Sequence, residues 1–374
     1  MLIGVPKEIK NHEYRVGLIP GSVRELINHG HQVIVQKDAG MGIGFTDQDY
    51  TNIGAKIIDT AKEIFATAEM IVKVKEPQAN ECKMLRPGQL LYTYLHLAPD
   101  PDQTKLLLES GCVAIAYETV TADNGTLPLL APMSEVAGRM SIQAAAHCLE
   151  KAQAGNGLLL GGVPGVAPAN VTVIGGGVVG TNAVKMAVGM GANVTVLDRS
   201  LDRLRELDDI FRGTINCIYS THDNLEQYVL DADVVIGAVL IPGAAAPKLV
   251  TRDMISRMRP GSVLVDVAID QGGCFETSKA TTHADPTYIV DEIVHYCVAN
   301  MPGGVARTST FALNNATLGF ALTLADKGYK QALLDDKHLR AGLNVYKGKI
   351  TYKAVADDLG YDYHTPTELL KADA

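Results

Sequence analysis

The chain has 374 residues, of which 47% are hydrophobic and 20% charged, with 36 glycines and no tryptophan. This composition excludes a disordered, fibrous or disulfide-stapled protein. Acidic residues outnumber basic ones by 42 to 33, and the net charge of −9 argues against a nucleic-acid partner. At about 100 to 200 residues per domain, the length predicts two domains.

The first 120 residues alternate short apolar strands with polar, helix-like segments, which predicts a parallel sheet covered by helices. Ser22 is predicted to cap a helix that ends at Gly30, and Asp100, followed by Pro101, to cap another. The predicted strands are LIGV (2–5), QVIVQ (32–36), MIVKVK (70–75), LLYTYL (90–95) and VAIAY (113–117).

A long amphipathic segment, 134–152, is predicted to be a helix with Ser134 as its N-cap. A Gly/Pro-rich passage over 155–168 separates it from a second series of strands, which predicts a second parallel sheet. The stretch 308–327 is again predicted to be a helix. The strands of the second series are VTVI (171–174), NVTVL (193–197), NCIYS (216–220), DVVIGAV (233–239), SVLVDVA (262–268) and TYIVD (287–291).

The predicted fold class is therefore α/β, with two doubly wound parallel-sheet domains. A discontinuous substrate and catalytic domain comprises residues 1–130 and 307–374, and a dinucleotide-binding domain of the Rossmann type comprises residues 131–306. The six cysteines lie at least 23 residues apart, and their spacing predicts neither a disulfide nor a metal site. No secretory signal or membrane span is expected, because the uncharged stretch 152–184 is interrupted by glycine and proline. We expect a cytoplasmic protein.

The most specific local motif is a glycine-rich turn, VTVIGGGVVG, at 171–180. Gly175 permits the tight turn, Gly177 lets the backbone approach a pyrophosphate, and Gly180 allows close packing of helix on strand. Asp198 ends the next predicted strand 18 residues later, which completes the context that a dinucleotide fingerprint requires. The alternative is a glycine turn that binds nothing.

Asp198 favours NAD as the cofactor, since a carboxylate would bind the ribose hydroxyls and repel a 2′-phosphate. Arg199 directly follows it, and a basic residue there leaves NADP as the alternative. Residues at the ends of later strands, among them Ser220, Val239 and the segment 268–270, are expected to border the same crevice.

Polar side chains also stand at the ends of three predicted strands of the first domain. Lys75 ends one strand, and His96 and Glu118 each follow another. The carboxyl ends of parallel strands share one edge of a sheet, and the loop that carries Arg15, with Glu8 and Glu13, opens towards it.

Asp270 stands at the corresponding edge of the second domain. A cleft between the domains is expected to bring cation, imidazole and carboxylate beside a nicotinamide ring, a set suited to hydride transfer at a carbon bearing an amine or hydroxyl. Each residue also has a structural alternative: a solvated strand end for Lys75, a hydrogen-bonded histidine for His96 and an Asx turn for Asp270. The more favoured role for Glu118 is structural.

Longer motifs resemble those of bacterial alanine dehydrogenases over essentially the whole chain. They are MLIGVPKEIKNHEYRVGLIP, MIVKVKEP, YLHLAPDP, APMSEVAGRMSIQ, VIGGGVVGTNA, VDVAIDQGG and VANMPGGVARTST, in the family's order and spacing. The resemblance implies a cytoplasmic homohexamer that converts L-alanine and water reversibly to pyruvate and ammonium with NAD. It also implies that Arg15 and Lys75 bind the substrate, and that His96 and Asp270 are the acid and base.

The same resemblance implies a set of cofactor contacts in addition to Gly175, Gly177 and Gly180. These are Ser134, Val178, Val179, Asp198, Arg203, Ser220, Val239, Leu240, Val267, Ala268, Ile269, Asp270, Lys279, Val298, Ala299, Asn300 and Met301.

Three other functions are alternatives to alanine dehydrogenase activity. A soluble component of a proton-translocating transhydrogenase would share the nucleotide domain but would need neither Lys75 nor His96. A lysine-pathway dehydrogenase would act on a larger amino-acid conjugate. A redox sensor would bind NAD without turnover, and the complete set of reacting residues argues against it.

Overall fold

Short runs of Val, Ile and Leu form the strands of the computed structural model, which describes residues 1–239 and 246–372. The strands are β1 (Leu2–Val5), β2 (Gln32–Gln36), β3 (Lys56–Ile58), β4 (Met70–Val72), β5 (Leu90–Thr93), β6 (Val113–Ala116), β7 (Asn170–Ile174), β8 (Asn193–Asp198), β9 (Asn216–Tyr219), β10 (Val234–Gly237), β11 (Val263–Asp266), β12 (Thr287–Val290), β13 (Ile293–Tyr296), β14 (Leu343–Tyr346) and β15 (Lys349–Ile350).

Helices alternate with these strands, and the last two follow β15. They are α1 (Pro20–Asn28), α2 (Asp47–Thr51), α3 (Ala61–Thr67), α4 (Ala79–Cys82), α5 (Pro101–Ser110), α6 (Ala131–Cys148), α7 (Val178–Gly189), α8 (Leu201–Phe211), α9 (His222–Leu230), α10 (Arg252–Ser256), α11 (Ala306–Lys327), α12 (Tyr329–Asp335), α13 (Lys337–Ala341), α14 (Lys353–Leu359) and α15 (Pro366–Ala372).

Helices α1, α5 and α6 each have a proline at their first or second residue. Of the three N-caps predicted for them, two were wrong. The Asp100 side chain caps α5 as predicted, accepting the Gln103 N–H at 3.0 Å. Ser22 caps nothing, because α1 already begins at Pro20 and buries Ser22 in its first turn. Ser134 likewise lies inside α6, which begins at Ala131. Pro20 opens α1 and a proline is the second residue of α6, positions where the missing N–H costs nothing.

The chain divides into two compact units. Unit 1 comprises Met1–Met133 and Gly303–Ala374, and unit 2 comprises Ser134–Pro302. The sheet of unit 1 has eight strands in the order β15-β14-β6-β5-β4-β1-β2-β3. Strands β1 to β6 are parallel to one another, so their carboxyl ends lie at one edge. β14 is antiparallel to β6 and to β15, so the C-terminal segment makes this sheet mixed rather than purely parallel.

The sheet of unit 2 has seven strands in the order β12-β13-β11-β10-β7-β8-β9. Strand order reverses between β7 and β10, which is the topological switch point of a doubly wound sheet. The prediction that TYIVD continues the parallel series was wrong. This strand, β12, pairs antiparallel with β13, a strand that sequence analysis did not predict. Asp291 and Glu292 between them have φ of 49° and 62°, the geometry of a two-residue hairpin turn, and this turn reverses the chain.

Side chains from both faces of the unit 2 sheet enter the core. Val234 and Ile236 of β10 join one buried apolar cluster, whereas Val235 joins another. This alternation is the period-two geometry of a strand covered by helices on both sides. The resulting rigid sheet holds the loops at its carboxyl edge in place.

Candidate active site

In unit 1, two of the predicted reacting side chains follow neighbouring parallel strands. Lys75 lies three residues beyond β4, and His96 lies three residues beyond β5. The strands MIVKVK and LLYTYL therefore end earlier than predicted, and the last residues of each motif form loops at the sheet edge. Sheet pairing thus places Lys75 and His96 on adjacent strand ends, as the sequence predicts.

Arg15 is buried in the loop after β1 and is held by a carboxylate. Its Nε and Nη2 donate hydrogen bonds to the two carboxylate oxygens of Glu13, each at 2.6 Å, and its Nη1 contacts the Met133 sulfur at 3.1 Å. Burial lowers the pKa of the Arg15 guanidinium, but the hydrogen bonds and charge of Glu13 raise it further, so the net pKa lies above the usual value. The guanidinium is therefore a permanent, oriented cation.

Tyr94 interacts with both His96 and Arg15, and it is not among the residues predicted from the sequence. Its ring stacks on the His96 imidazole with the centroids 5.7 Å apart and the planes at 9°. Its hydroxyl donates to the Leu129 carbonyl at 2.5 Å. Burial raises the pKa of Tyr94, and the charge of Arg15 opposes that rise. A buried, neutral tyrosine thus supports the imidazole and lies within the field of the arginine.

The His96 backbone has φ of 48°, an unusual value for a residue other than glycine. Glu118 stabilises this conformation by accepting the backbone N–H of His96 at 2.6 Å and that of Leu95 at 3.2 Å. The nearer Glu118 oxygen lies 3.9 Å from His96 Nδ1. This carboxylate fits the structural role that the sequence favours, while the imidazole remains 43% exposed.

Both backbone polar groups of Lys75, its N–H and its carbonyl, are in contact with other side chains. Glu8 Oε1 lies 3.4 Å from the Lys75 N–H, and Thr93 Oγ1 donates to the Lys75 carbonyl at 2.9 Å. The ammonium lies 3.4 Å from Glu76 Oε2 and is mostly shielded from solvent. The alternative of a fully solvated strand end therefore does not describe Lys75.

Unit 2 carries the glycine turn at the switch point, between β7 and α7. Gly175 has φ of 99°, and a Cβ there would lie 2.7 Å from the Ala238 carbonyl that follows β10. A Cβ on Gly180 would lie 1.8 Å from the Gly175 carbonyl. Both glycines are thus required by the backbone conformation and packing of the protein itself.

Gly177 differs from the other two glycines and provides the test for a cofactor. It is the N-cap of α7 with φ of −66°, and a Cβ there would meet nothing within 4 Å. Neither strain nor packing therefore requires glycine. The open space lies at the N-terminus of a 12-residue helix, where backbone N–H groups and the helix dipole favour an anion. The turn fits the pyrophosphate of a dinucleotide.

Asp198 and Arg203 bind the two backbone polar groups of Gly176, its N–H and its carbonyl. Asp198 Oδ2 accepts the Gly176 N–H at 2.7 Å, and Arg203 Nε donates to the Gly176 carbonyl at 2.7 Å. Arg203 Nη2 also donates to Thr181 Oγ1 at 2.7 Å. Asp198 and Arg203, which the resemblance assigns to cofactor binding, therefore stabilise the turn itself. Thr181 belongs to the same hydrogen-bond network and was not predicted from the sequence.

Asp270 lies exposed in the turn Val267–Gln271 after β11. A fully buried carboxylate, Asp266, organises this turn by accepting the N–H of Ala268 at 3.0 Å and that of Cys274 at 2.9 Å. Burial raises the pKa of Asp266, and a hydrogen bond from Ser278 partly opposes the rise. An Asx turn, the structural alternative for Asp270, is formed here by Asp266 instead.

The remaining predicted cofactor residues are distributed around the sheet of unit 2. Ser220 follows β9 and donates its N–H to the Asp198 carbonyl at 2.9 Å. The Lys279 N–H donates to the Tyr288 hydroxyl at 2.7 Å, and Asn300 has φ of 62°. Leu240 lies outside the described residues. Ser134 and Val267 are half-buried, Val178 is exposed, and Val179, Val239, Ala268, Ile269, Val298, Ala299 and Met301 are half-buried or buried.

Two other kinds of feature are absent from the described residues 1–239 and 246–372. No helix in these ranges is both long and apolar enough to cross a membrane. No cluster of three or more His, Cys, Asp or Glu side chains in them could hold a metal ion.

The strand order and glycine turn of unit 2 define a Rossmann-type dinucleotide-binding protein. Family models agree, matching residues 4–137 as "Alanine dehydrogenase/PNT, N-terminal domain" and residues 141–353 as "Alanine dehydrogenase/PNT, C-terminal domain". The chain belongs to the alanine dehydrogenase/PNT family.

Individual relatives cover nearly the full length of the chain. An alanine dehydrogenase of Halomonas elongata is 64% identical over 99% of this chain and 100% of its own length. One of Bacillus subtilis is 57% identical over 97% and 96%, respectively. A solved L-alanine dehydrogenase structure matches with a TM-score of 0.93 at 51% identity, covering 96% of this chain and 99% of its own.

A solved transhydrogenase from Sinorhizobium meliloti is a more distant match. Its TM-score is 0.81 at 24% identity over 95% of this chain and 100% of its own. At that identity the likeness shows the fold alone.

Proposed function

We propose that the protein catalyses the reversible oxidative deamination of L-alanine with NAD. The balanced reaction converts L-alanine, water and NAD⁺ to pyruvate, ammonium, NADH and a proton. The observation that carries this proposal is the 64% identity to an alanine dehydrogenase over 99% of the chain. No feature of the described residues favours the transhydrogenase component over it.

In this proposal Arg15 and Lys75 bind the alanine carboxylate. Arg15 is a buried cation that Glu13 orients, and a guanidinium of fixed orientation suits a planar carboxylate. Lys75 also acts on the substituent of the reacting carbon, where a positive charge stabilises developing negative charge on oxygen.

His96 and Asp270 move protons in the proposed reaction. Bound NAD supplies the hydride acceptor, and loss of hydride from the α-carbon leaves an imine that water attacks. His96 is partly exposed and supported by Tyr94, so its imidazole can exchange a proton with the developing hydroxyl or carbonyl. Asp270 activates water and, in the reverse direction, ammonia.

NAD rather than NADP is the proposed cofactor. Asp198 stands at the end of β8 with its carboxylate held by the N–H groups of Gly176 and Ser200, at 2.7 and 2.8 Å. An oriented carboxylate in this position favours the two ribose hydroxyls and disfavours a 2′-phosphate.

The proposed assembly is a homohexamer in the cytoplasm. The Gly155–Ala169 passage exposes Leu159, Val163 and Val166 at 65%, 53% and 59%, and clustered apolar side chains commonly pack against another subunit. Light scattering after size-exclusion chromatography should give about six times the chain mass of 39.9 kDa. A monomer would contradict this part of the proposal.

An amino-acid panel tests the reaction. Purified protein is mixed with NAD and each of alanine, serine, valine, lysine and saccharopine, and NADH absorbance is followed. We expect NADH formation to depend on alanine and to fall at least tenfold when NADP replaces NAD. Turnover with saccharopine alone would indicate a lysine-pathway enzyme. Tight NADH binding without turnover of any amino acid would favour a sensor or transhydrogenase component.

A further inference from the structure

A buried ionic cluster lies beneath the end of β4 in unit 1. It consists of Lys73, Glu8 and Glu81, whose side chains are at most 2% exposed. The Lys73 ammonium lies 3.0 Å from Glu8 Oε2 and 2.9 Å from Glu81 Oε1. Burying three charges is costly, and such clusters are often no more stabilising than apolar packing of similar volume. Stabilisation of the fold alone therefore does not account for the cluster.

Glu8 has contacts that Glu81 lacks. Its Oε1 accepts the Val74 N–H at 2.7 Å and lies 3.4 Å from the Lys75 N–H. The second oxygen of Glu81 instead accepts the Gln78 N–H at 2.8 Å, at the start of α4. The two carboxylates therefore share one cation, but only Glu8 contacts the backbone of the proposed substrate-binding lysine.

Sheet topology explains why a carboxylate is needed at this point. The paired residues of β4 and β1 end with Ile71 opposite Gly4. On the β5 side the contacts continue, with the Tyr94 N–H donating to the Val74 carbonyl at 3.2 Å. On the β1 side Glu8 Oε1 takes the place of a strand carbonyl as the acceptor. The chain, which bends at Val74 and Lys75, thus leaves the sheet with the Val74 N–H satisfied.

We propose that Glu8 is a positioning residue for the amino-acid site. Its Oε1 holds the Val74–Lys75 backbone so that the Lys75 ammonium meets the substrate, while Lys73 compensates its buried charge. Glu8 also lies in the same loop as Arg15, seven residues earlier. The loop that carries one proposed substrate-binding cation therefore fixes the strand end that carries the other. This inference rests on the proposed alanine dehydrogenase activity.

Conservative variants separate positioning from charge compensation. Glu8→Asp keeps the charge but shortens the side chain, so the carboxylate withdraws from the two N–H groups. Glu8→Gln keeps a carbonyl acceptor at the original reach but loses the charge. Glu81→Gln is the matched control, because it removes one charge from the same lysine without contacting Val74 or Lys75.

Steady-state kinetics with alanine and pyruvate, NADH titration by fluorescence and thermal melting are measured for wild type and all three variants. We expect Glu8→Asp to raise the KM for alanine and pyruvate at least tenfold, with NADH affinity within twofold of wild type. We expect Glu8→Gln to raise both KM values more than Glu81→Gln but less than Glu8→Asp, because its neutral amide oxygen accepts a hydrogen bond more weakly than a carboxylate does. Glu81→Gln should leave both KM values within threefold. If Glu8→Asp does not fold, a KM shift in Glu8→Gln that exceeds the Glu81→Gln shift still supports the inference.

Two outcomes would overturn the inference separately from the proposed function. Equal KM shifts in Glu8→Gln and Glu81→Gln at wild-type turnover would mean that the cluster acts only through its charge. A wild-type KM in Glu8→Asp would show that the backbone contact is dispensable. By contrast, wild-type protein without any alanine-dependent turnover would overturn the proposed function, and the inference with it.

Discussion

The carboxylate of Glu118 accepts the backbone N–H of His96 at 2.6 Å, although the imidazole of His96 is a separate, partly exposed group. The bond joins residues 22 positions apart and secures a backbone with φ of 48°. Left-handed backbone in a residue other than glycine costs about 1–3 kcal/mol and persists only where its surroundings enforce it. The orientation of the proposed proton-transfer group thus depends on the end of the neighbouring strand.

Glu118→Ala should therefore lower turnover without removing any reacting group. Hydrogen bonds to a charged acceptor are worth about 1.5–3 kcal/mol, which corresponds to a loss of about ten- to hundredfold in kcat. Glu109→Ala is the control, because Glu109 is exposed and pairs only loosely with Lys105 at 3.9 Å. Initial rates of NADH formation with saturating alanine measure the effect, and a wild-type kcat in Glu118→Ala would contradict it.

His96→Ala should abolish most turnover while NADH binding persists. General acid–base catalysis typically contributes about 10²- to 10⁴-fold, so a loss of that size in kcat is expected. NADH affinity should stay within twofold, since the glycine turn belongs to unit 2 and His96 to unit 1. His29→Ala serves as the control, because its imidazole bonds Asp326 at the surface. Near-normal turnover in His96→Ala would refute its assignment as the proton-transfer group.

The glycines of the turn should respond differently to alanine. Gly177→Ala should weaken NADH binding at least tenfold and leave the melting temperature near that of wild type, because its Cβ meets no protein atom within 4 Å. Gly189→Ala, whose Cβ also meets nothing, should change neither NADH affinity nor folding. Fluorescence titration with NADH and thermal melting provide the two readouts. Equal NADH affinity in both variants would argue against a pyrophosphate at Gly177.

Gly180→Ala should instead lower stability, since its Cβ would collide with the Gly175 carbonyl. Overpacking of this kind typically costs about 1–3 kcal/mol. A lower melting temperature in the absence of NADH is the expected result. An unchanged melting temperature would show that the turn can relax around the added methyl group.

The contribution of Glu76 to stability should depend on pH. Burial raises the pKa of its carboxyl, but the charges of Lys75 and Lys10 lower it further, so the net pKa lies below the usual 4.5. A carboxyl whose pKa is lower in the folded state stabilises the fold above the unfolded-state value and loses this effect as the pH falls through the folded-state value. Glu76→Gln should therefore lower the melting temperature at pH 7.

This difference between Glu76→Gln and wild type should shrink as the pH is reduced below about 4.5, the unfolded-state value. Glu109→Gln, which alters an exposed carboxylate, should match wild type at every pH. Melting curves at pH 7, 5, 4 and 3.5 would show the trend. A difference that is constant over this range would mean that the ion pairs of Glu76 do not stabilise the fold.

Much of the fold could be predicted because its strands are short, apolar and buried on both faces. The residues of β1 and β2 were predicted with their observed limits, and the αβ alternation with the glycine turn indicated the Rossmann-type sheet. Strand ends were less certain. MIVKVK alternates apolar and polar residues from Val72 to Lys75, yet β4 ends at Val72, and its pairing with β1 ends at Ile71. β13 was missed because only Asp291 and Glu292 separate it from β12, and neither is a glycine or proline that would mark a turn.

The sequence by itself determined which chemical groups stand at the strand ends: Lys75, His96, the loop arginine Arg15 and the glycine turn. Local pattern suffices for these, because each follows a strand or opens a helix within a few residues. Only the tertiary structure decided which carboxylates hold them. Glu8 binds the Val74 N–H across 66 residues, and the Glu118 and Asp198 carboxylates accept N–H groups 22 residues away. Such bonds depend on which strands are neighbours, and strand order is a property of the whole folded sheet.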